Sequence, residues 1–172
     1  RPRRHTAGGR LTRTLGVAFM PRSRSTDPKD QKLFDDIEEF GWHCLHIPEE
    51  GNHKPFSFTI GLYATLGHPE VLIYGLRRET AHGILRIVAD AAKKGKPINA
   101  SCPTDELLDD YSCVLVPIAQ DQYSEHLGTA IWYYEHQPFP ALQVVWPNRD
   151  GVFPWDENAS ESFKNAQPVI GP

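Results

Sequence analysis

The stretch FTIGLYATLGHPEVLIYGL, residues 58–76, constrains the fold more than any other part of this chain. It holds two short runs of apolar and β-branched residues, separated by glycine, histidine and proline, which favour turns. Runs of this length are typical of buried strands, and a short connection usually joins strands that are neighbours in a sheet. The sequence therefore predicts two strands facing each other across a turn that contains His68, Pro69 and Glu70.

Helical periodicity appears on both sides of these strands. Residues 25–41 offer Thr26 or Asp27 as an N-cap and Gly41 as a stop. Residues 77–95 form the clearest amphipathic helix, residues 121–137 form another, and residues 104–111 are predicted as a short helical turn. Predicted strands cover residues 42–49, 55–64, 70–76, 112–119 and 140–147. This order predicts an α+β domain, with a mostly antiparallel sheet of about five strands and helices packed on one face.

The chain divides into three parts by composition. Residues 1–24 form a basic segment, residues 25–157 a single α+β domain, and residues 158–172 a polar C-terminal tail. The first 19 residues carry five arginines and no acid, and the single methionine, Met20, follows them directly. We expect the natural protein to start at Met20, so that the basic segment is non-native or disordered; a transit peptide or a nucleic-acid-binding arm are the alternatives.

Charge and composition exclude several classes of function. Without the first 19 residues, 13 basic residues face 22 acidic ones, and an acidic body does not favour binding to nucleic acid. No apolar run reaches the length that a membrane helix needs, so no membrane partner is expected. The three cysteines lack C-x-x-C spacing, which favours reduced thiols in a cytoplasmic protein.

Strong catalytic and cofactor motifs are absent from the sequence. It contains no H-E-x-x-H zinc motif, no G-x-S-x-G elbow and no glycine-rich nucleotide-binding loop. His43 and His46 are three residues apart, and on a strand this spacing directs side chains to opposite faces. We therefore predict no metal site and no cofactor.

His68 and Glu70 are the best candidates for catalysis. A histidine and a carboxylate two residues apart can act as an acid–base pair if they share a cleft. The alternative is structural: Pro69 fixes the turn, while His68 and Glu70 bond to nearby backbone. Thr59 and Gly61 precede the turn, and Gly61 marks a place where a ligand or an aromatic side chain approaches the backbone closely.

Two further segments contain candidate ligand-binding residues. Arg77 and Arg78 stand at the start of the clearest helix, where the helix dipole and two guanidinium groups favour an anion, although surface salt bridges are the alternative. Near the C-terminus, Trp146 and Trp155 predict either a packed lid or the aromatic wall of a pocket. Gln143 interrupts an apolar strand and needs a hydrogen-bond partner if it is buried.

Three segments together resemble a bacterial family of uncharacterised proteins, domain-of-unknown-function family 4262. They are FGWHCLHI, PFSFTIGLYATLGHPEVLIYGL and LQVVWPNRDGVFPWD, and the resemblance covers residues 30–156. Similar sequences often carry an aspartate after W-P, where this chain has Asn148, so no role of that acid is carried over. The resemblance brings no established activity. If the shared motifs mark one site, it implies these positions: Thr59, Gly61, His68, Glu70, Gln143 and Trp146.

The leading hypothesis is a small cytoplasmic domain that binds an unknown small molecule or a protein. Its site would lie where the His68 turn meets the C-terminal aromatic segment. The alternative is a hydrolase-like enzyme for a small anionic substrate, with His68 and Glu70 moving protons and Arg77 or Arg78 holding the anion. A weaker alternative is flavin binding in a split-barrel-like sheet, because FTIGL resembles a strand of flavin reductases.

Overall fold

The computed structural model of the protein describes residues 20–100 and 102–171. Of the basic segment predicted at the N-terminus, residues 1–19 lie outside this range. Residues 20–24 are described and pack against a helix further along the chain: the Arg22 amide donates to the Tyr133 carbonyl at 2.7 Å, and its guanidinium lies 4.6 Å from the Trp132 ring centre. Residues 20–24 thus contact the segment of α-helix that contains Trp132 and Tyr133.

Six strands and six α-helices make up the described part of the chain. The strands are β1 (His43–Ile47), β2 (Phe56–Ile60), β3 (Glu70–Tyr74), β4 (Thr104–Leu108), β5 (Tyr111–Pro117) and β6 (Ala141–Val145). The helices are α1 (Gln31–Phe40), α2 (Leu62–Leu66), α3 (Arg78–Lys93), α4 (Tyr123–His126), α5 (Gly128–Tyr133) and α6 (Glu161–Ala166). Among the described residues, no helix has the length and apolar character to cross a bilayer.

The strands form one mixed sheet in the order β1-β2-β3-β6-β5-β4. All neighbours pair antiparallel except β3 and β6, which are parallel. The predicted α+β class and mostly antiparallel sheet are confirmed. The sixth strand, β4, lies where a short helical turn was predicted. The turn at Asp109 and Asp110, with Asp110 in the left-handed region at φ 66°, instead lets residues 104–108 pair back on β5.

Helices cover both faces of the sheet, whereas the sequence predicted helices on one face. Five residues of α3 are buried in the core of one face, together with Val71 and Ile73 of β3. Helices α4 and α5 pack on the other face against Leu72 and Tyr74. Because every residue of β3 is buried, its side chains alternate between two cores, and an unbroken apolar run is typical of such a strand.

A short helix replaces the simple turn predicted between β2 and β3. Helix α2 lies between Gly61 at φ 98° and Gly67 at φ 67°, two left-handed positions that glycine adopts without steric cost. A Cβ atom at Gly61 would lie 2.9 Å from Cγ1 of Ile37, so α1 packs directly on this backbone. The close approach predicted at Gly61 is therefore made by Ile37.

The C-terminal residues predicted as a polar tail fold back onto the sheet. Ser160 caps α6, accepting a hydrogen bond from the Phe163 amide, and Gln167 after it is fully buried. Gln167 exchanges two hydrogen bonds with the backbone of Trp146, at 2.8 and 2.9 Å. Because both ends of its amide are used, Gln167 fixes this segment against the end of β6.

Candidate functional site

Glu70 lies at the centre of a buried hydrogen-bond network at the point where β2 and β3 separate. The described pairing of these strands ends at Phe58 and Leu72. Beyond it, Thr59 accepts from the Val71 amide at 2.9 Å and donates to Glu70 Oε2 at 2.5 Å. The Thr59 hydroxyl thus accepts the hydrogen bond from the Val71 amide beyond the end of the backbone pairing, which gives a physical reason for a threonine here.

The second carboxylate oxygen of Glu70 accepts three hydrogen bonds. The amides of Gly61 and Tyr63 donate to Oε1 at 2.9 and 3.1 Å, and the Tyr134 hydroxyl donates to the same atom. Glu70 is fully buried, and burial raises its pKa above the usual 4.5, although these donors and Thr59 favour the charged form. We call Thr59, Gly61, Tyr63, Glu70 and Tyr134 the Glu70 network.

His68 and Glu70 are not brought together. His68 is 3% exposed, and its two ring nitrogens lie 2.7 Å from the Pro69 carbonyl oxygen and 3.0 Å from the Ile98 carbonyl oxygen. Ile98 belongs to the core under α3, whereas Tyr134, which bonds Glu70, belongs to the core under α5. The two side chains therefore diverge, and both ring nitrogens of His68 face backbone oxygens.

The C-terminal candidates are also bonded within the chain. Gln143 donates to the Pro168 carbonyl at 2.8 Å and accepts from the Ile170 amide at 2.9 Å. The Trp146 indole donates to the Tyr74 carbonyl at 2.9 Å. Trp155 stacks on Phe153 and remains 49% exposed. Gln143 and Trp146 thus hold the folded-back C-terminal segment, while Trp155 is apart from them on the surface.

A polar cleft lies on the α3 side of the sheet, between α1, β1 and α3. We call it the β1–α3 cleft; one lobe has a volume of about 410 Å³ and the adjoining lobe about 290 Å³. Its two lobes share four residues, Lys32, Asp36, Cys44 and His82. Charged and titratable side chains from three elements therefore converge on this one concave surface.

Cys44, His46 and His82 form a cluster in the cleft. One ligand atom from each, the cysteine sulfur or a histidine nitrogen, lies within 4.8 Å of the others. Cys44 Sγ and His46 Nε2 are 3.5 Å apart. The sequence prediction of no metal compared His43 with His46, which face opposite sides. The informative pair was Cys44 and His46, since a spacing of two places both side chains on the same face of a strand.

Nearby charges and burial shift the pKa values of the cleft residues. Burial raises the pKa of the Cys44 thiol to about 12, with Arg78 acting in the opposite direction. Burial also lowers the pKa of His46, and the positive charge of Arg78 adds to that effect. Burial raises the pKa of Asp36, but hydrogen bonds from Lys32 and His43 outweigh it, so the net pKa is lowered.

The paired arginines predicted to hold an anion have different surroundings. Arg78 is the first residue of α3 and lines the cleft beside His46 and His82. Arg77 is the N-cap residue and is exposed, and it is not among the residues lining the cleft. The structure therefore separates Arg78, which lies at the cleft, from Arg77, which does not.

Comparison with known proteins identifies a family without a described activity. Neither the curated proteins nor the solved structures contain a match to this chain. A family model described as a domain of unknown function, DUF4262, matches residues 36–160. This range includes β1 to β6, the Glu70 network and all the cleft residues contributed by β1 and α3. The chain therefore belongs to the DUF4262 family.

Proposed function

We propose that this protein is a ligand-binding domain whose site is the β1–α3 cleft and whose ligand is a small anion. One observation carries the proposal: Arg78, Arg86 and Lys93 line the cleft, and within the described residues none of them has an ion-pair partner within 4.0 Å. Across the two lobes, the four cations Lys32, Arg78, Arg86 and Lys93 face the two carboxylates Asp36 and Asp90. This excess of positive charge on a concave surface favours an anionic ligand.

The two acidic residues of the cleft offset only part of its positive charge. Asp36 bonds to Lys32 at 2.9 Å and to His43 at 2.7 Å, and it pairs with none of Arg78, Arg86 and Lys93. Asp90 lines the same lobe as Arg86 and Lys93, on the same helix, but pairs with neither. A phosphate or carboxylate group would provide the paired acceptor that these side chains lack.

We prefer binding over the hydrolase alternative because the candidate catalytic side chains are either far apart in direction or unsuited to proton transfer. The pair predicted for proton transfer, His68 and Glu70, diverges, with both partners bonded by protein groups. In the cleft, Cys44 and His46 resemble a nucleophile and a base, but burial raises the pKa of the metal-free thiol to about 12, which opposes a free thiolate nucleophile. The flavin alternative assumed a barrel-like sheet, and here the sheet is open, with β1 and β4 at its two edges.

Thermal unfolding with a panel of small anions tests the proposal. The panel contains phosphate, sulfate, mono- and dicarboxylates and nucleotides, and the chain is assayed after removal of metals by a chelator. A ligand present at about 100 times its dissociation constant stabilises the folded state by about 2.7 kcal/mol, which is a measurable shift in midpoint.

Arg78→Gln and Arg77→Gln form a matched pair for this screen, because the residues are adjacent, exposed and identical in charge. We expect a stabilising anion to shift the midpoint of the wild type and of Arg77→Gln, but not of Arg78→Gln. Equal loss in both variants would assign the effect to overall charge, and no shift with any anion would refute the proposal.

A further inference from the structure

The three side chains Cys44, His46 and His82 come together through strand alternation and a helix crossing. Cys44 and His46 project from the same side of β1, and His82, from the second turn of α3, reaches them across the cleft. Cys44 and His46 are partly buried and His82 is exposed, so the cluster lies at the wall of the cleft and remains open to solvent on one side.

The spacing of these atoms agrees with metal coordination. A tetrahedral zinc ion, with bonds of about 2.3 Å to sulfur and about 2.0–2.1 Å to nitrogen, separates these two ligand atoms by about 3.6 Å. The observed distance from Cys44 Sγ to His46 Nε2 is 3.5 Å. The remaining separations are at most 4.8 Å, and the residue that must move to shorten them, His82, is the exposed member of the cluster.

A hydrogen bond on the far side of the ring fixes the orientation of His46. Its Nδ1 lies 2.6 Å from Ser57 Oγ, and Ser57 is the residue directly opposite His46 in the pairing of β1 with β2. When Nδ1 donates its proton to this hydroxyl, Nε2 presents a lone pair toward Cys44. Histidines that bind metals are typically held in this way, through an oxygen that accepts from the other ring nitrogen.

The ring of His82 is also supported. It stacks on the buried indole of Trp42, with ring centres 5.6 Å apart and planes 29° from parallel. Trp42 precedes β1, so the same segment that supplies Cys44 and His46 also positions the third side chain. Ser57 therefore orients His46, and Trp42 keeps the His82 ring beside the cluster.

We propose that Cys44, His46 and His82 bind one Zn²⁺ ion in the β1–α3 cleft. One sulfur and two imidazole nitrogens suit this borderline-soft ion, and the thiol proton of Cys44 passes to solvent as the sulfur binds. Three protein ligands leave a fourth position, which is the arrangement of zinc centres that take a further ligand.

The metal deepens the function proposed above, and its link to an anion rests on that function. Arg78 lines the same lobe of the cleft as Cys44, His46 and His82. An anion held by Arg78 and occupying the fourth position of Zn²⁺ would compensate the excess positive charge. The substrate or ligand class is therefore a small anion with an oxygen donor that can reach the metal.

Cobalt titration of the untagged full chain tests the metal site, because Co²⁺ substitutes for Zn²⁺ and reports thiolate coordination by a charge-transfer absorption. The protein is first treated with a chelator. We expect one Co²⁺ per chain, with this absorption, and its displacement by Zn²⁺. Cys44→Ser abolishes the charge-transfer absorption, while Cys102→Ser, at an exposed cysteine outside the cleft, leaves it unchanged.

Two further variants separate coordination from a general effect on folding. Ser57→Ala keeps all three ligands and removes only the outer hydrogen bond, so it weakens Co²⁺ binding by about 10–100-fold. His82→Ala weakens binding more, whereas His53→Ala, at an exposed histidine in the β1–β2 loop, leaves it unchanged. Circular dichroism of each variant verifies that it is folded.

The outcomes distinguish the metal from the anion. A titration without the charge-transfer absorption, or one in which folded Cys44→Ser behaves as wild type, overturns the metal site. Such a result leaves the anion proposal standing if the chelated protein still shows the Arg78-dependent midpoint shift. Conversely, Arg78→Gln is expected to bind Co²⁺ while losing the anion response.

Discussion

The Glu70 network and the β1–α3 cleft both contain several polar side chains near β2, but the network buries them and the cleft leaves several of them exposed. In the network, the Glu70 carboxylate is fully buried and accepts four hydrogen bonds from the protein itself. In the cleft, Arg78 and His82 are exposed, and among the described residues Arg78, Arg86 and Lys93 have no ion-pair partner within 4.0 Å. One region uses its polar groups internally, and the other presents them to solvent.

This difference bears on which residues of the chain are available for chemistry. A carboxylate with four protein donors has little capacity left for a substrate, and its replacement disturbs the fold first. Residues that line an open cleft contribute little to stability and remain available for a ligand. The HPE turn therefore organises the end of the β2–β3 pair, while the segment WHCLH supplies the side chains that face the cleft.

Glu70→Ala is expected to destabilise the protein more than any single substitution in the cleft. It removes the shared acceptor of four buried hydrogen bonds, donated by Thr59, Gly61, Tyr63 and Tyr134, and we expect a loss of about 3–5 kcal/mol in the free energy of unfolding. Urea denaturation measures it. Glu106→Ala, at an exposed residue of β4, is the control, with a change of about 0.5 kcal/mol or less. A loss below about 1 kcal/mol in Glu70→Ala would contradict the structural role of the network.

Tyr134→Phe removes one of the four donors to Glu70 and keeps the ring. The ring is fully buried and packs on Phe139 with centres 4.6 Å apart, so the variant isolates the hydroxyl. We expect a loss of about 1–3 kcal/mol in the free energy of unfolding. The same urea experiment measures it. The effect of the Tyr134 change should be much smaller in a Glu70→Ala background, where the hydroxyl has lost the carboxylate and keeps the contact from the Ala64 amide at 3.3 Å.

The local pattern of the sequence predicted most elements but not how they are layered. Helix α1 ends at Gly41, as predicted, because this residue is left-handed at φ 83° and its amide bonds back to Ile37. Helix α2 was not predicted, because its five residues, LYATL, continue the strand-like pattern of β2. The helix is defined by the left-handed glycines on either side of it, Gly61 and Gly67. The helices lie on both faces because they pack on the two sides of the buried strand β3. Local hydrophobic periodicity predicts a helix but not the face of the sheet on which it packs.

The candidate site was only partly accessible to sequence reasoning. Arg78 was identified from its place at the start of a helix, but its neighbour Arg77 looked equivalent because both precede the same apolar pattern. The two-residue spacing of Cys44 and His46 was available in the sequence. The approach of His82 was not, since it depends on α3 crossing β1, two elements separated by β2, α2 and β3.

The free energy of unfolding should depend on pH with opposite signs in the two regions. Burial raises the pKa of Glu70 above 4.5. The contribution of Glu70 to stability is therefore complete below pH 4.5 and is lost as the pH rises through the folded-state pKa. The net pKa of Asp36 is lowered below 3.8, so its stabilisation is present above that pH and is lost as pH falls through the folded-state pKa.

Unfolding free energies of Glu70→Gln and Asp36→Asn, measured against pH, test these signs. Glu70→Gln should remove a decline toward higher pH, and Asp36→Asn a decline toward low pH. The contribution of Asp36 is about 1 kcal/mol or less, because the side chain of its partner Lys32 is 77% exposed. If both variants removed a decline in the same direction of pH, the contrast between the two regions would be contradicted.

His82→Ala is expected to have the smallest effect on stability, and that makes it the sharpest test of the cleft. The side chain is exposed and its main contact is the stacking on Trp42, so we expect a change of about 0.5 kcal/mol or less in the free energy of unfolding without metal. If His82 is a ligand, however, Zn²⁺ should stabilise the wild type by an amount that rises with metal concentration, and this increment should be lost in the variant. A large loss of stability in metal-free His82→Ala would mean that this residue supports the fold, as Glu70 does, and the contrast between the two regions would fail at the residue where it should be clearest.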